Sequence, residues 1–298
     1  MPVITVDGLT KRYGDFEAVR GISFEVYEGE VFALLGPNGA GKTTTTEILE
    51  GYRERTGGTV DVLGFDPQRG GRAMRERIGI VLQSVGLDPY LSVHETVAST
   101  AVLYPNARDI DEVLDVVGLT EKAGDRVKRL SGGQLRRLDL ALGLVGDPEL
   151  IFLDEPTTGF DPSARRDAWD LVAGLTKLGK TVLLTTHFMD EAQYLAHRVA
   201  VLAGGRIVAT GTPDSLGGRQ TAGARVRFEP PGIPLPDLGT PGTGPDEQGY
   251  VTFVTEHPTR LLARLTGWAA GQGVELVGLT VARPSLEDIY LELTQDES

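Results

Sequence analysis

Val31-Phe-Ala-Leu-Leu35 runs without a break into Gly36-Pro37-Asn38-Gly39-Ala40-Gly41-Lys42-Thr43. Five apolar residues in a row, with no polar alternation, suit a strand covered on both faces, as in a parallel sheet. Thr43 to Glu50 predicts a helix, so the glycine-rich segment turns a buried strand into a helix. In that setting the pattern G-x-x-x-x-G-K-[ST] has a mechanism. Its glycines let backbone N–H groups approach a phosphate with no Cβ in the way, and Pro37, Asn38 and Ala40 complete the loop. The helix start turns the positive end of its dipole toward the same anion. Lys42 is placed for the β- and γ-phosphates of a nucleoside triphosphate, the Thr43 hydroxyl for magnesium, and Thr44 stands beside them. A glycine-rich turn that binds nothing shares the bare pattern but has no need of this strand and helix around it.

Working outward, apolar runs recur at Ile78–Leu82, Leu150–Leu153, Val182–Thr185 and Val199–Leu202. Helical stretches lie between them, including Asp109–Val117 and Gln134–Val145, and the segment from Leu87 to Asp147 is mostly helical. That alternation predicts an α/β fold with a largely parallel sheet. Residues 3–7 and 22–27 also read as strands, the second alternating through Ile22, Phe24 and Val26. After about Ser215 the composition changes. Pro230, Pro231, Pro234, Pro236, Pro241 and Pro245 exclude a packed helix or central strand over 229–249, which is expected to be a long loop between two strands. Tyr250–Val254, Pro258–Gly271, Val274–Val281 and Pro284–Leu293 then predict strand, helix, strand and helix. The expected domains are 1–214, with a helical subdomain at about 87–147, and a small α+β domain at 215–298. A chain of 298 residues has room for two.

Composition narrows the classes of function. The net charge of −13 argues against a general nucleic-acid partner, which calls for a basic face. With no cysteine, disulfides, thiolate metal sites and cysteine nucleophiles are excluded. No apolar run approaches the ~20 residues that cross a bilayer. Met1-Pro-Val-Ile-Thr-Val-Asp7 lacks the basic and apolar regions of a signal peptide. Work at a membrane would therefore depend on another polypeptide.

Two further motifs carry candidate chemistry. Leu150-Ile-Phe-Leu-Asp154-Glu155-Pro156 is an apolar strand ending in two carboxylates. Beside the phosphate loop, Asp154 would reach the magnesium and Glu155 would polarise an attacking water, although an ordinary strand ending in an acidic turn looks the same. Leu130-Ser131-Gly132-Gly133-Gln134 precedes a helix. It offers a second hydroxyl-and-amide anion site, or simply a serine N-cap.

With these motifs in this order, the sequence resembles the ATP-binding cassette (ABC) ATPases over residues 3–214. The phosphate loop is the Walker A motif, Ser131–Gln134 belongs to the signature, and Asp154 with Glu155 is Walker B. Gln83 matches the Q-loop, Phe160-Asp161 the D-loop (with Phe where Leu is more usual), His187 the switch histidine, and Tyr13 in Lys11-Arg-Tyr-Gly14 the adenine-stacking aromatic. The resemblance implies a P-loop NTPase core of RecA type plus a helical subdomain. It implies ATP and Mg2+ as ligands, with Thr43, Gln83 and Asp154 at the metal and Glu155, Gln83 and His187 in hydrolysis. It also implies a head-to-tail homodimer in which Walker A of one copy and Ser131–Gly133 of the other sandwich each ATP, with Asp161 signalling across.

Within that family, zinc-bearing repair members, coiled-coil members and two-cassette translation members fit poorly. A transporter subunit is expected, working at the cytoplasmic face of the cell membrane through a separately encoded transmembrane permease, without touching cargo or nucleic acid. The segment Ser84–Glu95 lies where such a permease docks, and Ser92 with Glu95 also reads as a helix cap. Thr157-Thr-Gly-Phe-Asp-Pro162, the stretch 135–142 and the tail Arg283–Thr294 resemble drug-resistance-type exporters with an accessory C-terminal domain. Drug or antibiotic efflux is the expectation, with lipid, polysaccharide or sodium export, or a soluble repair or translation role, as alternatives.

Overall fold

The computed structural model describes residues 1–81, 86–218 and 222–295, with side chains as far as 291. The chain forms two compact units, the first from Met1 to Pro213 and the second from Asp214 onward.

In the first unit, β1 (Pro2–Tyr13) and β2 (Phe16–Tyr27) make an antiparallel hairpin. β3 (Val31–Leu35) runs into α1 (Lys42–Leu49). β4 (Gly57–Val62) then pairs with β1, giving a sheet in the order β2-β1-β4. α2 (Gly71–Arg75), β5 (Ile78–Val81), α3 (Val93–Ala101), α4 (Ile110–Val116) and α5 (Gly132–Leu144) follow. The unit ends with β6 (Leu150–Asp154), α6 (Pro162–Lys177), β7 (Thr181–Thr186), α7 (Met189–Leu195), β8 (Arg198–Ala203) and β9 (Arg206–Gly211).

The second sheet of this unit has the order β5-β6-β7-β3-β8-β9 and is parallel except for the β8–β9 pair. Every residue of β3 and β7 is buried, which is what continuous apolar runs in a parallel sheet produce. Phe24 on β2 stacks on Phe32 of β3, with ring centroids 5.4 Å apart, and joins the two sheets in one core. α3 begins with a capping box: Ser92 Oγ accepts from the Glu95 N–H, and Glu95 Oε2 accepts from the Ser92 N–H. Among the described residues, no helix is long and apolar enough to cross a membrane.

In the second unit, β10 (Ala224–Phe228), β11 (Val251–Thr255), α8 (Pro258–Gln272), β12 (Thr280–Ala282) and α9 (Leu286–Gln295) form an antiparallel sheet, order β11-β10-β12, with two helices. The proline-rich run lies between β10 and β11. Val226, Phe228, Val251, Phe253, Leu261 and Leu265 form the core. α9 buries Leu286 and Ile289.

Four elements differ from the sequence expectation. β1 and β2 run well past residues 3–7 and 22–27. In their outer halves backbone pairing continues, through several bulges, after the apolar alternation has given way to Lys11, Arg12, Glu17 and Arg20. Val274–Val281 is not a strand over its length. Gly278 takes φ +64 and the Leu279 N–H bonds the Leu276 carbonyl, so the chain turns there, and only Thr280–Ala282 pairs with β10. β4 sits in a run of glycine and polar residues with too little periodicity to be read from sequence.

α5 sits close against β5 because two glycines meet. A Cβ on Gly79 would lie 2.2 Å from the Gly143 carbonyl oxygen, a backbone atom with nowhere to go. Gly79→Ala is expected to destabilise the first unit by about 1–3 kcal/mol, an overpacking penalty to be measured by denaturant unfolding.

Candidate active site

β6, β7 and β3 are neighbours, and the carboxyl ends of these three parallel strands carry Glu155, His187 and the phosphate loop. The crevice outside such strand ends is where α/β sheets hold ligands. The loop is tied to the middle strand by a bond from the Gly36 N–H to the Thr186 carbonyl (3.1 Å). Gly41 has φ +104, and a Cβ there would lie 2.6 Å from the Ala18 carbonyl, so only glycine fits before α1.

Lys42 is 4% exposed. Its Nζ donates to the Gly36 and Pro37 carbonyls (2.8 and 3.1 Å) and lies 3.3 Å from Glu155 Oε1. His187 Nδ1 is also 3.3 Å from that oxygen. Glu155 Oε2 accepts from Thr158 Oγ1, and the Glu155 N–H donates to both the carbonyl and the hydroxyl of Thr185. Burial tends to raise the Glu155 pKa. The Lys42 charge, the Thr158 hydroxyl and the His187 charge outweigh it and leave the carboxyl below its ordinary value. The group is therefore ionised near neutral pH, as a base must be. Asp154 Oδ1 is bonded by the Thr185 hydroxyl.

The pocket above the loop is lined by Tyr13, Phe16, Ala18, Asn38, Gly39, Gly41, Lys42, Thr43, Thr44, Asp154 and Glu155. Thr43 and Asp154 give its wall a pair of hard oxygen donors, a set suited to Mg2+. Tyr13 is partly exposed at the hairpin tip, with Lys11 Nζ and Arg53 Cζ at 5.0 and 5.4 Å from its ring centre. Pro37 and Ala40 shape the loop through an Ala40 N–H bond to the Pro37 carbonyl and do not line the pocket. Ser131, Gly132, Gly133 and Gln134 lie outside this pocket. There Ser131 and Gln134 form a capping box at the start of α5, which leaves Ser131 and Gly132 exposed. Asp161 is also outside the pocket and caps α6, its Oδ1 accepting from the N–H groups of Ser163 and Ala164 (2.9 and 3.0 Å). The Gln83 expectation falls outside the described residues.

The family profile "ABC transporter" matches residues 19–158, and a profile for the C-terminal domain of ABC transporter domain-containing protein-like chains matches 224–285. The daunorubicin resistance ATP-binding protein DrrA3 of Streptomyces coeruleorubidus is 37% identical, covering 99% of this chain and 96% of its own. The chain belongs to the ABC transporter family. The linearmycin resistance ATP-binding protein LnrL of Bacillus subtilis (strain 168) is 32% identical over 98% of both chains. The Nod factor export ATP-binding protein I of Paraburkholderia xenovorans (strain LB400) is 44% identical over 72% of each. Among solved structures, cbiO1 from Clostridium perfringens, part of an ABC transporter complex, aligns with TM-score 0.67 and 31% identity over 72% of this chain and 90% of its own. An ABC cassette in its ADP conformation, 24% identical, shares the fold with TM-score 0.65, covering 71% of this chain and 91% of its own. This chain is thus an ATP-binding and ATP-hydrolysing ABC subunit with the P-loop NTPase fold.

Sequence reasoning missed several residues of the ABC site. Phe16 and Ala18 line the pocket because the hairpin, longer than expected, bends over the loop. The alternation of β2 gave no signal for either. Glu50, at the end of α1, is 4% exposed. Burial, then the charges of Asp154 and Glu47, push its pKa from 4.5 to about 7. Between those values the folded chain keeps a proton that the unfolded chain releases, so stability falls as pH rises through the window. At about 1.4 kcal/mol for each pKa unit, the gap is worth on the order of 3 kcal/mol. Glu50→Gln is expected to unfold at a higher temperature than the parent at pH 8, with the advantage gone near pH 4. Equal melting temperatures at both pH values would contradict this.

Proposed function

We propose that this ABC subunit powers export as one of an identical pair, each ATP held between Walker A of one copy and Ser131–Gly133 of the other. One observation carries the reading. Lys42 and Glu155 line one pocket, with His187 Nδ1 3.3 Å from Glu155 Oε1, while a second turn suited to an anion, the exposed helix start at Ser131, lies outside it. A chain with two such turns and one such pocket is complementary to a second copy of itself.

The residues then divide the work. Tyr13 stacks on the adenine, and Phe16 extends the same wall. The phosphate-loop N–H groups and Lys42 hold the β- and γ-phosphates. As the γ-phosphate arrives, Lys42 exchanges the Glu155 carboxylate for phosphate oxygens, and Glu155 is released to polarise water. His187 contacts the γ-phosphate from the other side of Glu155. Magnesium, where bound, neutralises charge on the phosphates, and Thr43 and Asp154 would hold it, with Gln83 as a further donor. Asp161 carries the state of one site toward the other. Contacts available only in the closed pair drive closure, and loss of phosphate reverses it.

The export reading rests on relatives named for daunorubicin resistance, linearmycin resistance and Nod factor export. The subunit would act at the cytoplasmic face of the membrane, through a separate transmembrane permease, without touching cargo or nucleic acid. Drugs or other hydrophobic compounds are the cargo class most in keeping with the two resistance relatives. The second unit would stabilise or regulate the pair.

Glu155→Gln is expected to bind ATP at the parent affinity, to lose turnover by at least about a hundredfold, and to run as a dimer with ATP on size-exclusion chromatography. Hydrolysis at the parent rate would overturn the role of Glu155. Failure to co-purify from detergent with a multi-span membrane protein would overturn the transport assignment. Removal of residues after Ser215 should weaken ATP-dependent dimerisation or transport, and unchanged behaviour would remove the second unit from the mechanism.

A further inference from the structure

Glu155 has φ +45, a left-handed backbone that a residue with a Cβ keeps only where its surroundings over-determine it. Its N–H is held by the carbonyl and hydroxyl of Thr185, at 3.1 and 3.0 Å. The two carbonyls that bracket the residue are held by one side chain. Arg136 Nε donates to the Pro156 carbonyl at 3.0 Å, and its Nη2 reaches the Asp154 carbonyl at 3.5 Å. A guanidinium reaches the two carbonyls from two separate nitrogens in a rigid planar fork, a geometry that a single ammonium nitrogen cannot reproduce. The Arg136 side chain is 12% exposed and its Nη1 lies 3.7 Å from Asp139 Oδ2, on a side chain 11% exposed. A buried cation of this kind is costly to keep and tightly located. The neighbouring Arg137 has a different task, donating to the Val117 carbonyl.

Arg136 lies on α5, the helix capped by Ser131, about 8 Å along the axis from that cap. α5 therefore has the Ser131–Gln134 capping box at one end and a grip on the backbone of Glu155 close to it.

We infer that Arg136 is a positioning residue for hydrolysis, fixing the peptide frame of Glu155 and tying it to the helix that starts at Ser131–Gln134. This rests on the reading of Glu155 as the base. In the paired arrangement the Ser131 turn meets the partner's ATP. A displacement of that turn passes along a stiff helix to the carbonyls around Glu155 in the chain's own site. One side chain thus lets occupancy of one site set the geometry of the base in the other.

The test uses full-length Arg136→Met, Arg136→Lys, and Arg136→Met with Asp139→Asn, which removes the buried charge pair together and guards against misfolding. Arg136 does not line the nucleotide pocket, so ATP affinity should stay within about twofold of the parent. The kcat should fall at least about tenfold in both Met variants, with partial recovery in Arg136→Lys, since misplacing a catalytic group by an ångström costs that much or more. In the Glu155→Gln background, adding Arg136→Met should leave the residual single-turnover rate unchanged, because no base remains to be misplaced. An unchanged kcat in folded Arg136→Met beside an inactive Glu155→Gln overturns the proposal alone. So does an equal loss in both backgrounds, which would mark general structural damage. Parent-rate hydrolysis by Glu155→Gln itself overturns the base assignment and the proposal with it.

Discussion

The site depends on a lysine ammonium that has almost no access to water. A buried charge must find partners or be neutralised. Lys42 finds them in the Gly36 and Pro37 carbonyls of its own loop and in the Glu155 carboxylate. The loop therefore has to curl around the side chain it presents, which forces its backbone through Gly41. A carboxylate also has to stand at the end of a nearby strand. A phosphate oxygen carries the same sign of charge as that carboxylate, so Lys42 is compensated as well by one as by the other.

Topology makes the arrangement possible. The three strands β6, β7 and β3 are adjacent and parallel, so residues just past their carboxyl ends come together although they are far apart in the chain. β7, between the other two, does two jobs. Thr186 anchors the phosphate loop, while Thr185 bonds both Asp154 and the backbone of Glu155. The left-handed turn at Glu155 is held because Thr185 and Arg136 both bond the peptide group before it and Arg136 also bonds the Pro156 carbonyl after it.

The turn at Ser131 and the cap at Asp161 have a structural task of their own. Each closes the N-terminus of a helix in the isolated chain, by a bond that asks nothing of a nucleotide. A helix N-terminus satisfied in this way still presents a positive dipole end to an incoming anion.

The sequence by itself determined the strand–loop–helix unit, the parallel sheet and the identity of Lys42, Thr43, Asp154, Glu155 and His187 as candidates. These depend on local patterns: unbroken apolar runs, glycines at fixed offsets, carboxylates at a strand end. It did not show the full length of the β1–β2 hairpin, where backbone pairing outlasts the apolar alternation, nor the turn at Gly278 within an apolar run. Phe16 at the pocket, the raised pKa of Glu50 and the grip of Arg136 on Glu155 were settled only by the tertiary structure. Each arises from proximity between residues distant in the chain, or from burial, and neither is encoded in the spacing of residue types along one segment.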